Sequence, residues 1–363
     1  MRGSPPARCG HLTVDRAEPT DCDPTFRYLG MCMSDPIARD DSCLLCGATR
    51  TTEEVPYVDS TWTDSQLFEG LAVRYCQDCG FGFSAPDLNR SDVDRFYLKF
   101  YRGEDSPYHI DFRRLTRPVF FHEHSLAQLL LAQPFGTFQT DDLYLDVGAG
   151  SGASFSSACL LMDEPRLCAL EHNEGSRDAY RRLYGATTAE DLDGVVGNLG
   201  KAKLVLSSHC LEHFRLPDLV LFLTKLKNCI APGGVFVAEV PHVDLRRHVD
   251  VRAADAPHFL FFSAQSLRMV LEQSGFEVLF LESCGPSYSD VTQAVPAEGS
   301  AAATPSRVSL RRLAASVRGR APWWLRNQLV GAASHLAVGR VDFSSAIFSY
   351  GGKDRSWLRV VAR

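Results

Sequence analysis

The chain has 363 residues, 45% of them hydrophobic, and a formal net charge of −6. That supports a sizeable core and excludes global disorder, and the acidic balance argues against a broad nucleic-acid-binding face. No run of about 18 apolar residues and no signal-type apolar segment occurs, so a cytoplasmic protein without a transmembrane helix is expected.

Residues 1–40 are rich in Pro, Arg, Asp and single cysteines without any period, which predicts a disordered extension. Met31 and Met33 stand just before the first organised segment and are the expected natural start. A zinc-binding unit is expected over 41–90. Two pairs, Cys43-Leu-Leu-Cys46 and Cys76-Gln-Asp-Cys79, are each followed by glycine and lie 29 residues apart. Each pair makes a tight knuckle, and four thiolates close a tetrahedral Zn²⁺ site with no open position, so the role is structural. Other cysteines (Cys159, Cys168, Cys210, Cys229) are scattered through expected core elements, which fits a reduced compartment.

A helical linker is expected over 91–135. Phe96, Tyr97, Phe100 and Tyr101 recur at helical spacing. They form either a packing stripe or a lid over a substrate, with Tyr101 or Tyr108 touching it. A second helix is expected from Arg114 to Leu131. Its His122 and His124 are two apart, on different faces, and read as surface or packing residues rather than ligands.

The main domain is expected over 136–285. An apolar strand, 143–147, ends around Asp146 and runs into Gly148, Gly150 and Gly152 at every second position, then a helix at 152–162. Such a loop lets a ligand approach bare backbone beside a helix N-terminus. A second strand at 166–171 ends on Glu171, an acid suited to both hydroxyls of a ribose. A helix at 174–184 and a short strand near 186–189 follow. Then come a strand at 203–208, a helix at 216–230, a strand at 234–240, a helix at 263–274 and a strand from Phe276. This alternation implies a parallel sheet with right-handed crossovers.

The glycine loop, Glu171, the LEH of residues 211–213, and the PGG of 232–234 before VFVAEV together resemble the class I S-adenosylmethionine-dependent methyltransferases, over about Leu143 to Val278. The resemblance implies an α/β fold with a doubly wound, mostly parallel, seven-stranded Rossmann-like sheet. Its last strand, here Trp357 to Ala362 within 351–363, runs antiparallel between the fifth and sixth. It implies S-adenosylmethionine as cofactor, with Asp146 near the methionine ammonium, Glu171 on the ribose, His172 flanking the adenine and Asp191 near its amino group. Ser208 and His209 would line the sulfonium end. The candidate bases are His213, His242 and His258, with His258 preferred and Tyr101 beside it. Zinc knuckles before such a domain look like bacterial sugar methyltransferases acting on nucleotide-linked deoxysugars. Those carry a further α/β half, whereas this chain is short and different after Val278, and Pro257 stands where they have glutamate. The expected acceptor is a small molecule, a nucleotide-linked sugar or glycan.

An insert is expected over 286–350. Between 307 and 326 it carries six arginines and no acid, interleaved with Leu and Trp. A solvated helical cap, a peripheral membrane contact and an anion site all stay open there. Other readings of the whole chain are a catalytically silent, zinc-stabilised interaction subunit, an NAD-dependent enzyme, and a methyltransferase of RNA.

Overall fold

The computed structural model describes residues 42–51, 54–58, 66–101, 103, 106, 109–112, 118, 123–242, 254–255, 257–285 and 357–363. The proposed start at Met31 or Met33, the 1–40 extension, Tyr108, His122 and the arginine-rich 307–326 segment lie outside the described residues.

The N-terminal unit contributes β1 (Val55–Val58), β2 (Ala72–Tyr75) and β3 (Gly82–Ala85), followed by α1 (Arg90–Phe96), which passes into a wide π-type turn over Tyr97–Tyr101. Asn89 caps α1 by accepting from Ser91 N. Next come α2 (Glu123–Leu130), β4 (Leu143–Val147), α3 (Ala153–Leu161), β5 (Arg166–Leu170), α4 (Glu174–Tyr184), β6 (Thr187–Ala189), α5 (Leu192–Leu199) and β7 (Ala202–Ser208). A tight turn over Leu211–His213 leads to α6 (Leu216–Asn228), β8 (Ile230–Pro241), β9 (Ala254–Asp255), β10 (Leu260–Phe261), α7 (Ala264–Gln273), β11 (Val278–Cys284) and β12 (Trp357–Ala362).

Seven strands form one sheet in the order β11-β12-β8-β7-β4-β5-β6. Strands β4 to β8 pair in parallel, and β12 runs antiparallel between β8 and β11, as expected from the sequence. This is the doubly wound, mostly parallel, Rossmann-like sheet that the resemblance implies. The strands are continuous apolar runs because helices cover both faces. Leu143, Leu145 and Val147 of β4 pack toward α5 and α6, and Tyr144 packs toward α3 and α4 with Phe155 and Tyr180.

A second sheet has the order β10-β3-β2-β1-β9. The sequence did not announce it. Its strands are two to four residues long, and two of them come from the segment after β8, nearly 200 residues from β1. The N-terminal unit is thus threaded with β9 and β10. Ser263 secures the junction: it caps α7 and its hydroxyl donates to the Cys79 carbonyl at 2.7 Å.

Other differences are local. Helix α5 was not foreseen, because LDGVVGNL carries two glycines and weak helical character. Strand β8 begins at Ile230 and absorbs the Pro-Gly-Gly turn, since a Cβ at Gly234 would meet the Ala202 and Lys203 carbonyls at 3.0 and 2.9 Å. The helix expected from Arg114 is described only over Glu123–Leu130.

Candidate functional site

The glycine loop between β4 and α3 turns through three left-handed residues, Gly148, Gly150 and Gly152, at φ of 75°, 55° and 77°. Only glycine enters that region cheaply. At Gly152 a Cβ would lie 2.6 Å from the Tyr184 ring, whereas at Gly150 it would meet nothing within 4 Å. Gly150 therefore presents bare backbone to open space. Gly152 opens α3 with no side-chain cap, so the helix N-terminus is left to a ligand.

Glu171 lies at the end of β5, half-buried and not turned into the interior. Its Oε1 accepts from His172 N at 2.9 Å and Asn173 N at 3.0 Å. Tyr180 on α4 donates its hydroxyl to the Gly150 carbonyl at 2.6 Å and lies 3.5 Å from Glu171 Oε2. One tyrosine thus spans loop and acid. The sequence reading missed it, although its place in the helix after Glu171 was visible. Burial holds His172 down to about 4, so its imidazole is neutral. Asp191 caps α5, its Oδ1 accepting from Gly194 N at 2.6 Å.

Asp146 sits behind the loop, 2% exposed. Its Oδ2 accepts from Ser154 in the first turn of α3 and from Tyr144 at 3.1 Å, so the carboxyl braces the loop. Burial pushes it up to about 7, against the hydrogen bonds from Ser154 and Tyr144 and helped by the charge of Glu171. A carboxyl raised in the folded state binds its proton more tightly there than in the unfolded chain. Stability of the unliganded protein is therefore expected to fall as pH rises from about 4 through about 7, by up to ~4 kcal/mol. Urea midpoints measured across that window should show the slope, and Asp146→Asn should flatten it. An equal slope in the variant would remove Asp146 as the cause.

On the other side of the β7 end, α1, the Leu211–His213 turn and the loop before β10 meet. Tyr97 Oη lies 2.7 Å from His213 Nδ1 and 3.2 Å from the Pro257 carbonyl, to which it can donate. The Tyr101 and His258 rings lie 5.5 and 5.1 Å from that of His213. Tyr57 donates to the His258 carbonyl at 2.5 Å, and Phe259 N donates to the Glu212 carbonyl at 2.9 Å. The structure brings together His213, His258 and Tyr101 as named from the sequence, and adds Tyr97 and Glu212. Glu212 is 1% exposed. Burial opposes its charge, but His209, His213 and His258 hold it below the usual carboxylate range. Burial pushes His213 down to about 4, despite Glu212, and keeps it neutral. His242 bridges to Phe262 at the edge of this region.

Ser208 and His209 end β7. Ser208 accepts from Gln128 at 2.7 Å. His209 adopts φ 50° and its Nε2 lies 3.0 Å from Glu239 Oε1. Burial disfavours its charge, yet hydrogen bonds and charges of Glu212 and Glu239 outweigh that and push it up to about 10. His124, read from the sequence as a packing residue, instead reaches the same Glu239 oxygen at 2.5 Å. The helical period placed it on a face but could not show which strand that face would meet.

Among the cysteines, Cys43 and Cys79 have their sulfurs 3.7 Å apart and Cys46 and Cys76 3.5 Å, with all four within 4.8 Å of one another. Zinc–sulfur bonds of about 2.3 Å in a tetrahedron space sulfurs by about 3.8 Å. The donor set fits a closed four-thiolate metal site.

Residues 110–281 match the family described as a methyltransferase domain. The C-methyltransferase NovU of Streptomyces niveus is 32% identical over 93 residues, which is 25% of this chain and 22% of that protein. A Haemonchus contortus phosphoethanolamine N-methyltransferase 2, solved with S-adenosyl-L-methionine, is 14% identical with a TM-score of 0.36, over 65% of this chain and 51% of its own. A Geobacter sulfurreducens S-adenosylmethionine-dependent methyltransferase, solved with S-adenosyl-L-homocysteine, is 14% identical with a TM-score of 0.37, over 69% and 93%. The chain thus spans about a fifth of the curated relative and about half of the Haemonchus protein. Among the described residues no helix is long and apolar enough to cross a membrane.

Proposed function

We propose that this chain is an S-adenosylmethionine-dependent methyltransferase acting on a small molecule, a sugar or glycan intermediate. We further propose that Cys43, Cys46, Cys76 and Cys79 hold a structural Zn²⁺ and that His258 acts as base. The observation that carries the assignment is the cradle itself. Gly150 offers unobstructed backbone at a helix N-terminus, and Tyr180 ties it to the carboxylate of Glu171. A nucleoside with a ribose diol and a charged amino acid tail is complementary to that pair. The match of residues 110–281 supports the reaction class.

When bound, the cofactor supplies an activated methyl on a sulfonium, so the protein mainly positions and deprotonates. Glu171 would accept from the ribose hydroxyls, Asp146 stiffens the loop through Ser154, and His172 and Asp191 would border the adenine. Ser208, at the end of β7, would line the sulfonium end. The printed name of the Streptomyces relative supports a carbon acceptor, which must lose a proton. His213, neutral and bonded to Tyr97, is a weak base. His258 is left to take the proton, with the buried Glu212 carboxylate stabilising the imidazolium that forms. Tyr101, its ring against those of Tyr97 and His213, would lie beside the acceptor.

Titration calorimetry with S-adenosylmethionine tests the assignment; absence of binding would leave the chain as a silent interaction subunit. His258→Ala is expected to lower turnover ~10²-fold or more with cofactor affinity unchanged. A near-normal rate would take His258 out of the chemistry.

A further inference from the structure

Beside Ser208, at the end of β7, lies a second cluster of metal-ligating side chains. Helix α2 supplies His124, the end of β7 supplies His209 and β8 supplies Glu239. Both imidazoles aim Nε2 at one carboxylate oxygen, Glu239 Oε1, at 2.5 and 3.0 Å. Donors bound at about 2.1 Å to one first-row ion lie about 3 Å from each other, so the spacing suits a shared metal.

The surroundings are those of ligands held for a purpose. Arg359, fully buried, pairs with the other oxygen, Glu239 Oε2, which leaves Oε1 for a single-oxygen contact. His209 Nδ1 lies 3.4 Å from Glu212 Oε1, the carboxylate–imidazole arrangement that orients a metal-binding histidine. His209 is fixed in a left-handed conformation, and its backbone N–H donates to the Glu239 carbonyl at 2.9 Å. The His124 and His209 side chains are 21% and 34% exposed, so an ion and its waters can reach them, while Glu239 is closed off.

We infer that His124, His209 and Glu239 form a binding site for a divalent first-row transition-metal ion, separate from the four-cysteine site and with coordination positions left open to solvent. Two imidazoles and one carboxylate favour Zn²⁺, Fe²⁺, Mn²⁺ or Co²⁺ over Mg²⁺ or Ca²⁺. The site stands whether or not the chain transfers methyl groups.

Co²⁺ titration of the full-length protein, with the four-cysteine site loaded with zinc, tests this. The expected result is one equivalent of Co²⁺ with weak visible bands of nitrogen and oxygen ligation and no thiolate charge-transfer band. His124→Ala and His209→Asn should each weaken that binding at least ~10-fold while circular dichroism and the zinc content stay as in the parent. His124 is partly exposed, so its variant reads binding even if a His209 variant folds poorly. No bound equivalent would mean that hydrogen bonds alone hold the three side chains together and would overturn the inference. So would Co²⁺ binding that survives both variants and is lost in His258→Ala, which would put the ion at the other histidine pair.

Discussion

Replacing Cys76 with serine is expected to unfold the N-terminal unit and cut turnover at least ~10²-fold while leaving cofactor affinity within roughly threefold. A four-thiolate zinc site contributes about 10 kcal/mol or more to a unit of this size, and three sulfurs hold the ion less well. The loss should reach the chemistry through the shared sheet. His258 sits between β9 and β10, which pair with β1 and β3, and its carbonyl is held by Tyr57. Without those strands the histidine loses its position relative to His213. Gly150, Glu171 and Tyr180 belong to the other sheet and should still grip the nucleoside. Turnover, calorimetry and hydrogen exchange on one preparation check this. Parallel loss of cofactor binding would mean that the cysteine-bearing unit supports the whole chain, and unchanged turnover would refute the coupling.

Glu171→Ala is expected to weaken S-adenosylmethionine binding by roughly 10²-fold or more, with little change in folding stability. Hydrogen bonds to a charged group contribute about 1.5–3 kcal/mol each, and a ribose diol makes two. The carboxylate is oriented before any ligand arrives, by His172 N and Asn173 N, so little ordering cost offsets the gain. Tyr180→Phe, which removes the link to Gly150, should give a smaller loss. Calorimetry on both variants decides; affinity unchanged in Glu171→Ala would leave the cradle without its sugar contact.

The parallel half of the fold was legible because buried strands are written as unbroken apolar runs and the loop as glycines at fixed offsets. Leu143–Val147 and Glu174–Tyr184 were anticipated residue for residue. The N-terminal sheet was not, since strands of four residues gain their identity from partners far along the chain. The same limit applies to side chains. Glu171 announced itself by sitting at a strand end, but His124 acquires its meaning only from Glu239, 115 residues later. Tyr97 looked like one more aromatic in a stripe until the fold set it against His213.

The interleaving of β9 and β10 with the cysteine-bearing unit bears on how the protein can be dissected. A truncation beginning near α2 would strip β9 and β10 of every strand they pair with and bare the apolar face formed by Phe259, Phe261 and Phe262. Such a fragment invites edge-to-edge aggregation, and its inactivity would report on solubility rather than catalysis. The cysteine-bearing unit is complete only with β9 and β10, so its boundary cannot be drawn by cutting the chain once.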